Sequence, residues 1–126
     1  MSEKKILLVD DDPDFVDAVK VVVEEGGYEV AVAYGGQEGL DMVAEIKPDL
    51  IVLDVMMPEV NGHDVCKQLK DNPDTAEIPV ILLTAVASRV AHSGYTHRDM
   101  LESPAEDYIS KPVEPEVLLG RIKDWL

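Results

Sequence analysis

The amino-terminal region reads Lys5-Ile6-Leu7-Leu8-Val9-Asp10-Asp11-Asp12, in which four continuous apolar residues lead into three acids. A run that is apolar at every position is typical of a strand buried on both faces of a sheet. Asp12-Pro13 has the form of a helix start, because Asp is a preferred N-cap and Pro is tolerated in the first turn. The stretch therefore predicts a buried strand that delivers carboxylates to one edge of a sheet.

The alternation of strand and helix continues along the chain. Further strands are predicted at Tyr28–Tyr34, Leu50–Asp54, Ile78–Thr84 and Tyr108–Ser110, and further helices at Gln37–Ile46, His63–Asp71 and Glu114–Leu126. The first helix has an inward stripe formed by Phe15, Ala18, Val19, Val22 and Val23, and the last has one formed by Leu118, Ile122 and Trp125. Apolar strands separated by helices indicate a single α/β domain over residues 1–126, with a parallel sheet covered on both faces.

Composition excludes several classes of partner. The 126 residues include 11 basic and 26 acidic side chains, a net charge of −15, which repels phosphate backbones and argues against direct nucleic-acid binding. No apolar run approaches the roughly 20 residues that insert in a bilayer. The one cysteine, Cys66, fits a reducing cytoplasm.

Polar side chains end four of the five predicted strands: Asp10 and Asp11, Asp54, Thr84, and Lys111. Ligands of open parallel sheets bind beyond these carboxyl ends. Two carboxylates about 4 Å apart repel by roughly 4 kcal/mol at an effective dielectric near 20, so a divalent cation is expected, and oxygen ligands suit Mg²⁺ or Mn²⁺. Together with a hydroxyl and an ammonium, these are the parts for phosphoryl transfer, with Asp54 as the nucleophile.

Four motifs in this order resemble the response-regulator receiver domain of two-component signalling: residues 6–12, Leu53-Asp54-Val55-Met56-Met57-Pro58-Glu59-Val60-Asn61-Gly62, Leu83-Thr84-Ala85, and Lys111-Pro112. The resemblance covers Lys5 to Leu126 and is closest in form to single-domain chemotaxis regulators. It implies a flavodoxin-like, doubly wound sheet of five parallel strands in the order 2-1-3-4-5, with helices on both faces.

The resemblance also implies residue roles. Asp54 is similar to the phosphoacceptor, Asp11 to the direct metal ligand, and Asp10 to an acid that acts largely through water. Asp54 and the backbone carbonyl of Met56 would complete the metal site. The phosphoryl-binding and switch residues would be Thr84, Lys111 and Tyr108, and the peptide bond before Pro112 is commonly cis in this family. Asp12 falls outside the acid pair and is interpreted as a helix N-cap.

The implied function is two-component signal transduction. The domain would take a phosphoryl group from the phosphohistidine of a sensor kinase or histidine phosphotransfer protein and change its affinity for an output protein. It would be a regulator that promotes its own phosphorylation and dephosphorylation, not an enzyme. A cytoplasmic location and a weak dimer on phosphorylation are expected. With no output domain after Leu126, the chain would be a single-domain regulator, a relay shuttle or an excised receiver.

Three alternatives compete with this function. A pseudo-receiver would use the same fold as an unphosphorylated scaffold, but Asp11, Asp54, Thr84 and Lys111 are all present. An aspartate-nucleophile phosphatase typically has a second Asp two residues after the nucleophile, where this chain has Met56. A flavin-binding protein would need a phosphate loop after the first strand, where the acids repel phosphate.

One segment departs from the family pattern. Lys111 follows Thr84 by 27 positions, more than the resemblance leads us to expect, and Ser103-Pro104-Ala105 replaces the usual lead-in to the last strand. Ser93-Gly94 interrupts any helix there, and Pro104 opposes its continuation. We therefore expect the helix in Ala87–Pro104 to be short, displaced or replaced, which would give a non-standard surface for partner recognition.

Overall fold

The computed structural model describes residues 4–55, 62–84 and 105–126. Its strands are β1 (Lys5–Val9), β2 (Glu29–Ala33), β3 (Leu50–Asp54), β4 (Val80–Thr84) and β5 (Asp107–Ser110). Its helices are α1 (Pro13–Glu25), α2 (Gly36–Ile46), α3 (Gly62–Asp71) and α4 (Pro115–Trp125). The expectations for Met56 and for the segment 85–104 lie outside the described residues.

The five strands form one parallel sheet in the order β2-β1-β3-β4-β5, which confirms the predicted topology. The three central strands are almost wholly buried, as continuous apolar runs predict for a sheet covered on both faces. Because all strands run in the same direction, the carboxyl ends of β1, β3, β4 and β5 meet at one edge.

The core lies in two layers, one on each face of the sheet. Successive strand residues point to opposite faces, so Leu7 joins one layer while Ile6 and Leu8 join the other. Helices α2 and α3 cover the first layer, and α1 and α4 cover the second. Helices on both faces of the sheet are therefore confirmed.

Two predicted helix stripes are wrong in detail. In α1 the buried residues are Val16, Val19 and Val23, whereas Ala18 is exposed. In α4, Leu118 and Ile122 are buried as predicted, but Trp125 is 42% exposed. The spacing of hydrophobic residues predicts which side of a helix is buried only to within about one residue. The rotation of the helix about its axis, as it packs on the sheet, decides which side chains are buried.

Strand β5 is held to α4 through one carboxylate. Asp107 accepts hydrogen bonds from Arg121 Nη1 at 2.6 Å, from Trp125 Nε1 at 3.0 Å and from the backbone N–H of Tyr108 at 2.8 Å. Burial opposes ionisation of Asp107, but these bonds and the charge of Arg121 outweigh it and hold the pKa of the carboxyl below its usual value of 3.8. The ionised carboxylate therefore stabilises the fold.

A second contact fixes the amino end of β5. Lys70 Nζ donates to the carbonyl oxygens of Ala76 and Ile78 and to Glu106 Oε1, and Glu106 Oε2 accepts from the backbone N–H of Val80. This carboxylate therefore holds the start of β5 beside the start of β4.

Gly62 begins α3 against the end of β3. Its N–H donates to the carbonyl of Val55 at 3.0 Å. A Cβ at position 62 would overlap the carbonyl oxygen of Asp54 and lie 2.7 Å from Val55 Cα. Only glycine fits this approach of two backbones.

Within the part of the chain that the structure describes, no helix combines the length and apolar character that crossing a bilayer requires.

We expect Asp107→Asn to lower the free energy of unfolding at neutral pH. A group with a depressed native pKa stabilises above its unfolded pKa and ceases to do so as pH falls through the native value. The stability gap between native protein and variant should therefore be complete above about pH 4 and close below it. Chemical denaturation followed by Trp125 fluorescence measures the gap, with Asp17→Asn, an exposed acid on α1, as the control. A gap independent of pH would contradict this role.

Two glycine substitutions should change stability in opposite directions. Gly62→Ala should destabilise the protein by about 1–3 kcal/mol, the usual cost of overpacking, because backbone atoms cannot yield cheaply. Gly120→Ala, in α4, meets no atom within 4 Å and should gain up to about 1 kcal/mol of helix propensity. Urea denaturation of both variants checks this, and equal effects would show that the space at Gly62 is not limiting.

Candidate functional site

Four of the predicted site residues meet at the carboxyl edge of the sheet. Carboxylate oxygens of Asp10, Asp11 and Asp54 all lie within 4.8 Å of one another. Lys111 Nζ lies 2.8 Å from Asp10 Oδ2 and 3.6 Å from Asp54 Oδ2. The parallel strands thus bring together side chains that are up to 101 positions apart in sequence.

The three carboxylates differ in burial. Asp10 is fully buried and Asp54 is 3% exposed, whereas Asp11 is exposed. Asp10 is hydrogen-bonded at both oxygens, because Oδ1 accepts the N–H of Asp12 at 3.0 Å and Oδ2 accepts Lys111 Nζ. Burial of such a charge is costly unless partners satisfy it, and these two contacts satisfy both oxygens of Asp10.

Lys111 remains a cation in this site. Its side chain is 25% exposed, and burial opposes its charge. The hydrogen bond to Asp10 and the charges of Asp54 and Asp10 outweigh burial and raise the pKa of the ammonium above its usual value. One ammonium against three carboxylates leaves an excess of two negative charges when all three acids are ionised.

The donor set fits a hard divalent cation. Oxygens around octahedral Mg²⁺ at about 2.0–2.1 Å are separated by about 3 Å when adjacent and about 4 Å when opposite, and the three carboxylate oxygens, all within 4.8 Å of one another, could reach such distances by small movements. All three donors are oxygens, and a dication would balance the excess charge. Asp10, Asp11 and Asp54 could hold such an ion.

Thr84 ends β4, beside the Asp54 strand. Its side chain is 1% exposed, and its Oγ1 atom finds no hydrogen-bond partner within the described residues. Its carbonyl accepts the backbone N–H of Lys111 at 2.8 Å, so the backbones of the two residues are joined directly. A buried hydroxyl without a partner costs free energy, and the site offers it for an incoming oxygen.

Tyr108 lies farther from this edge. It pairs with Leu82 in the sheet, two residues before Thr84, and its partly buried ring packs against the core layer that α2 and α3 cover. Asp12 is the N-cap of α1, as predicted, with Oδ1 accepting the N–H groups of Asp14 at 3.1 Å and Phe15 at 3.4 Å. The Lys111–Pro112 peptide bond is cis, as the resemblance implies.

Two further residues lie beside this site that the sequence did not single out as functional. Gly62 lies against the backbone of Asp54, although the sequence singled it out only as the last residue of the motif that begins at Leu53. Phe15 was assigned to a core stripe, yet Lys111 Nζ lies 4.8 Å from the centroid of its ring. The spacing of apolar residues gives no indication of either contact, because both depend on how a helix packs against the end of the sheet.

Comparison with known proteins places this arrangement in a family. The model of the response regulator receiver domain matches residues 6–123. The DNA-binding dual master transcriptional regulator RpaA of Synechocystis sp. is 38% identical over 123 residues, which are 97% of this chain and 48% of RpaA. Response regulator MprA of Mycobacterium avium is 40% identical over 125 residues, which are 97% of this chain and 50% of MprA. The chain thus spans about half the length of these relatives.

A solved structure agrees with the sequence relatives. The signal receiver domain of a signal transduction histidine kinase from Syntrophus aciditrophicus has a TM-score of 0.85 and 37% identity, covering 98% of this chain and 89% of that one. The expectation that nucleic acid is not a partner is not borne out by the relatives, because RpaA is a DNA-binding regulator. The family match and the shared fold establish that the chain belongs to the response-regulator receiver domains of two-component signal transduction.

Proposed function

We propose that Asp54 is the phosphoacceptor of this receiver domain. The observation that carries the proposal is the position of its carboxylate, which is buried at the end of β3, grouped with Asp10 and Asp11, and 3.6 Å from the Lys111 ammonium. An unphosphorylated scaffold would have no need to keep this costly set of charges together, so the pseudo-receiver alternative is not favoured.

In the proposed reaction, a carboxylate oxygen of Asp54 attacks the phosphorus of a phosphohistidine donor. The P–O bond forms as the P–N bond breaks, and the departing imidazole nitrogen keeps the electron pair and takes up a proton. The product is an acyl phosphate on Asp54, and attack by water on that phosphorus would release inorganic phosphate and restore the carboxylate.

The surrounding residues divide the remaining tasks. Bound Mg²⁺ or Mn²⁺ would neutralise the charge of the phosphoryl oxygens. Lys111 would pair with one of those oxygens, and the hydroxyl of Thr84, which has no partner among the residues that the structure describes, would donate a hydrogen bond to another. Tyr108 would change position with Thr84 as the aromatic part of the switch. Met56, two residues after Asp54, would complete the metal site through its carbonyl oxygen.

The proposed partners follow from this chemistry. The donor would be a sensor histidine kinase or a histidine phosphotransfer protein, and the phosphorylated surface, including Ala87–Pro104, would change its affinity for an output protein or form a weak dimer. A whole protein that contains this domain would bind DNA if it acts as its relative RpaA does, which is a DNA-binding regulator. We propose a cytoplasmic location, a regulatory and non-enzymatic role, and a single domain over residues 1–126.

The phosphorylation site can be tested with a small-molecule donor. Incubation with acetyl phosphate and Mg²⁺ should add one phosphoryl mass to the native protein, and Asp54→Asn should gain none, because the amide is not a nucleophile of this kind. Intact-mass spectrometry measures the addition, and a chelator should abolish it. An Asn variant labelled as fully as the native protein would overturn the assignment.

Metal binding can be tested separately from phosphorylation. A ligand that binds only the native state at ten times its Kd adds about 1.4 kcal/mol of stability, so melting should shift upward in millimolar Mg²⁺. Asp11→Ala should blunt the shift, and should stabilise the metal-free protein by removing one of three repelling charges. Asp12→Ala is the matched control, because it should lose about 1 kcal/mol from the α1 cap and keep the Mg²⁺ response. A melting curve unchanged by Mg²⁺ in the native protein would remove the metal site.

A further inference from the structure

The only phenylalanine of the chain lies against the cation of the proposed site. Lys111 Nζ stands over the face of the Phe15 ring, 4.8 Å from its centroid. A cation within about 6 Å of an aromatic face is attracted by the electron density of the ring. Phe15 therefore makes an electrostatic contact with Lys111 in addition to its packing against the core layer under α1.

The position of Phe15 is fixed by the same residues that hold Lys111. Asp10 accepts Lys111 Nζ at one oxygen and the N–H of Asp12 at the other. Asp12 in turn caps α1 and accepts the N–H of Phe15. The closed chain of contacts runs from Lys111 through Asp10 and Asp12 to Phe15, and returns from the ring to the ammonium.

The Phe15 ring adds a second attraction that holds the Lys111 ammonium, beside the contacts with the acids. Of the two acids that pair with Lys111 in the described part of the chain, Asp10 Oδ2 lies at 2.8 Å and Asp54 Oδ2 at 3.6 Å, so the contact with Asp10 is the shorter. A lysine stem is long and costs conformational entropy to order. The ammonium also stands beside the first turn of α1, the end of a helix that disfavours cations. The aromatic face offsets this and limits the movement of Nζ away from the acids.

We propose that Phe15 is a positioning residue for Lys111: its ring holds the ammonium beside Asp10, where Lys111 can engage a phosphoryl group on Asp54. The inference rests on the proposed function of Asp54. It assigns to an apparent core residue an electrostatic part in phosphoryl capture, because a cation that is already in place need not be ordered during the reaction.

Fluorination of the ring separates electrostatics from packing. Because Phe15 is the only phenylalanine, growth with 4-fluoro-, 3,5-difluoro- or 3,4,5-trifluorophenylalanine alters this ring alone. Each fluorine withdraws electron density from the face and changes its volume little. The rate of phosphorylation by acetyl phosphate in Mg²⁺ should fall stepwise along the series, by about three- to tenfold for the trifluorinated ring. The rate of phosphorylation of Phe15→Leu, which keeps apolar bulk, should fall by a similar factor.

The contact itself has a readout that does not depend on phosphorylation. The ¹⁹F resonance of the 4-fluorophenylalanine protein should shift in Lys111→Met, which removes the charge and keeps a straight side chain. It should stay in place in Lys123→Met, an exposed lysine of α4. Melting temperatures across the series should stay close together, which excludes a loss of fold as the cause of slower labelling.

The outcomes distinguish this proposal from the proposed function. If the native protein is labelled at Asp54 and the fluorinated proteins are labelled equally fast or faster, the role of Phe15 is overturned while the phosphoacceptor stands. A ¹⁹F chemical shift that is unchanged by Lys111→Met would also overturn the role of Phe15. If the native protein itself is not labelled, the proposed function has failed. A stepwise decline together with the Lys111-dependent shift supports the positioning role.

Discussion

Lys111 and Asp10 form an ion pair between the two ends of the chain, with Nζ and Oδ2 only 2.8 Å apart. Asp10 is fully buried at the end of β1, so its charge would be costly without this partner and the N–H of Asp12. The pair in turn requires that β5 lies parallel to the strands between it and β1, with its carboxyl end at the same edge. Sheet order, site geometry and the charge of Lys111 therefore depend on one another.

The strand ends give each acid a different environment, although the three aspartates of residues 10–12 are identical in sequence. Asp10 is buried and paired, Asp11 is exposed beside it, and Asp12 turns away to cap α1. Asp54 enters from β3 and is buried close to the other two acids and to Lys111. When all three acids are ionised, the set has an excess of negative charge that a dication can balance. The fold thus holds these carboxylates close together at an edge of the sheet where a cation could bind and reduce their repulsion.

Strand β5 is anchored at its amino end by two polar contacts, although it is an edge strand and only Ile109 is buried in it. Glu106 ties its start to Lys70 and Val80, and Asp107 ties it to α4 through Arg121 and Trp125. These contacts hold the strand that delivers Lys111. At the carboxyl end, the backbone N–H of Lys111 donates to the carbonyl of Thr84 at 2.8 Å and holds Lys111 beside β4.

Local patterns in the sequence determined the elements of this protein and the identity of its strand-end side chains. Continuous apolar runs specify buried strands, Asp12-Pro13 specifies the start of α1, and parallel strands must bring their final residues to one edge. These inferences depend on neighbours in sequence, so Asp10, Asp11, Asp54, Thr84 and Lys111 could all be singled out beforehand, and the family resemblance supplied the strand order. Tertiary structure decided the contacts that depend on how the helices pack against the sheet. It set the roll of α1 that buries Val16 in place of Ala18, and it placed the ring of Phe15 against Lys111 and Gly62 against Asp54. It also left the hydroxyl of Thr84 without a partner in the described residues. The distances in these contacts arise only when the helices pack on the sheet, and local spacing in the sequence does not show them.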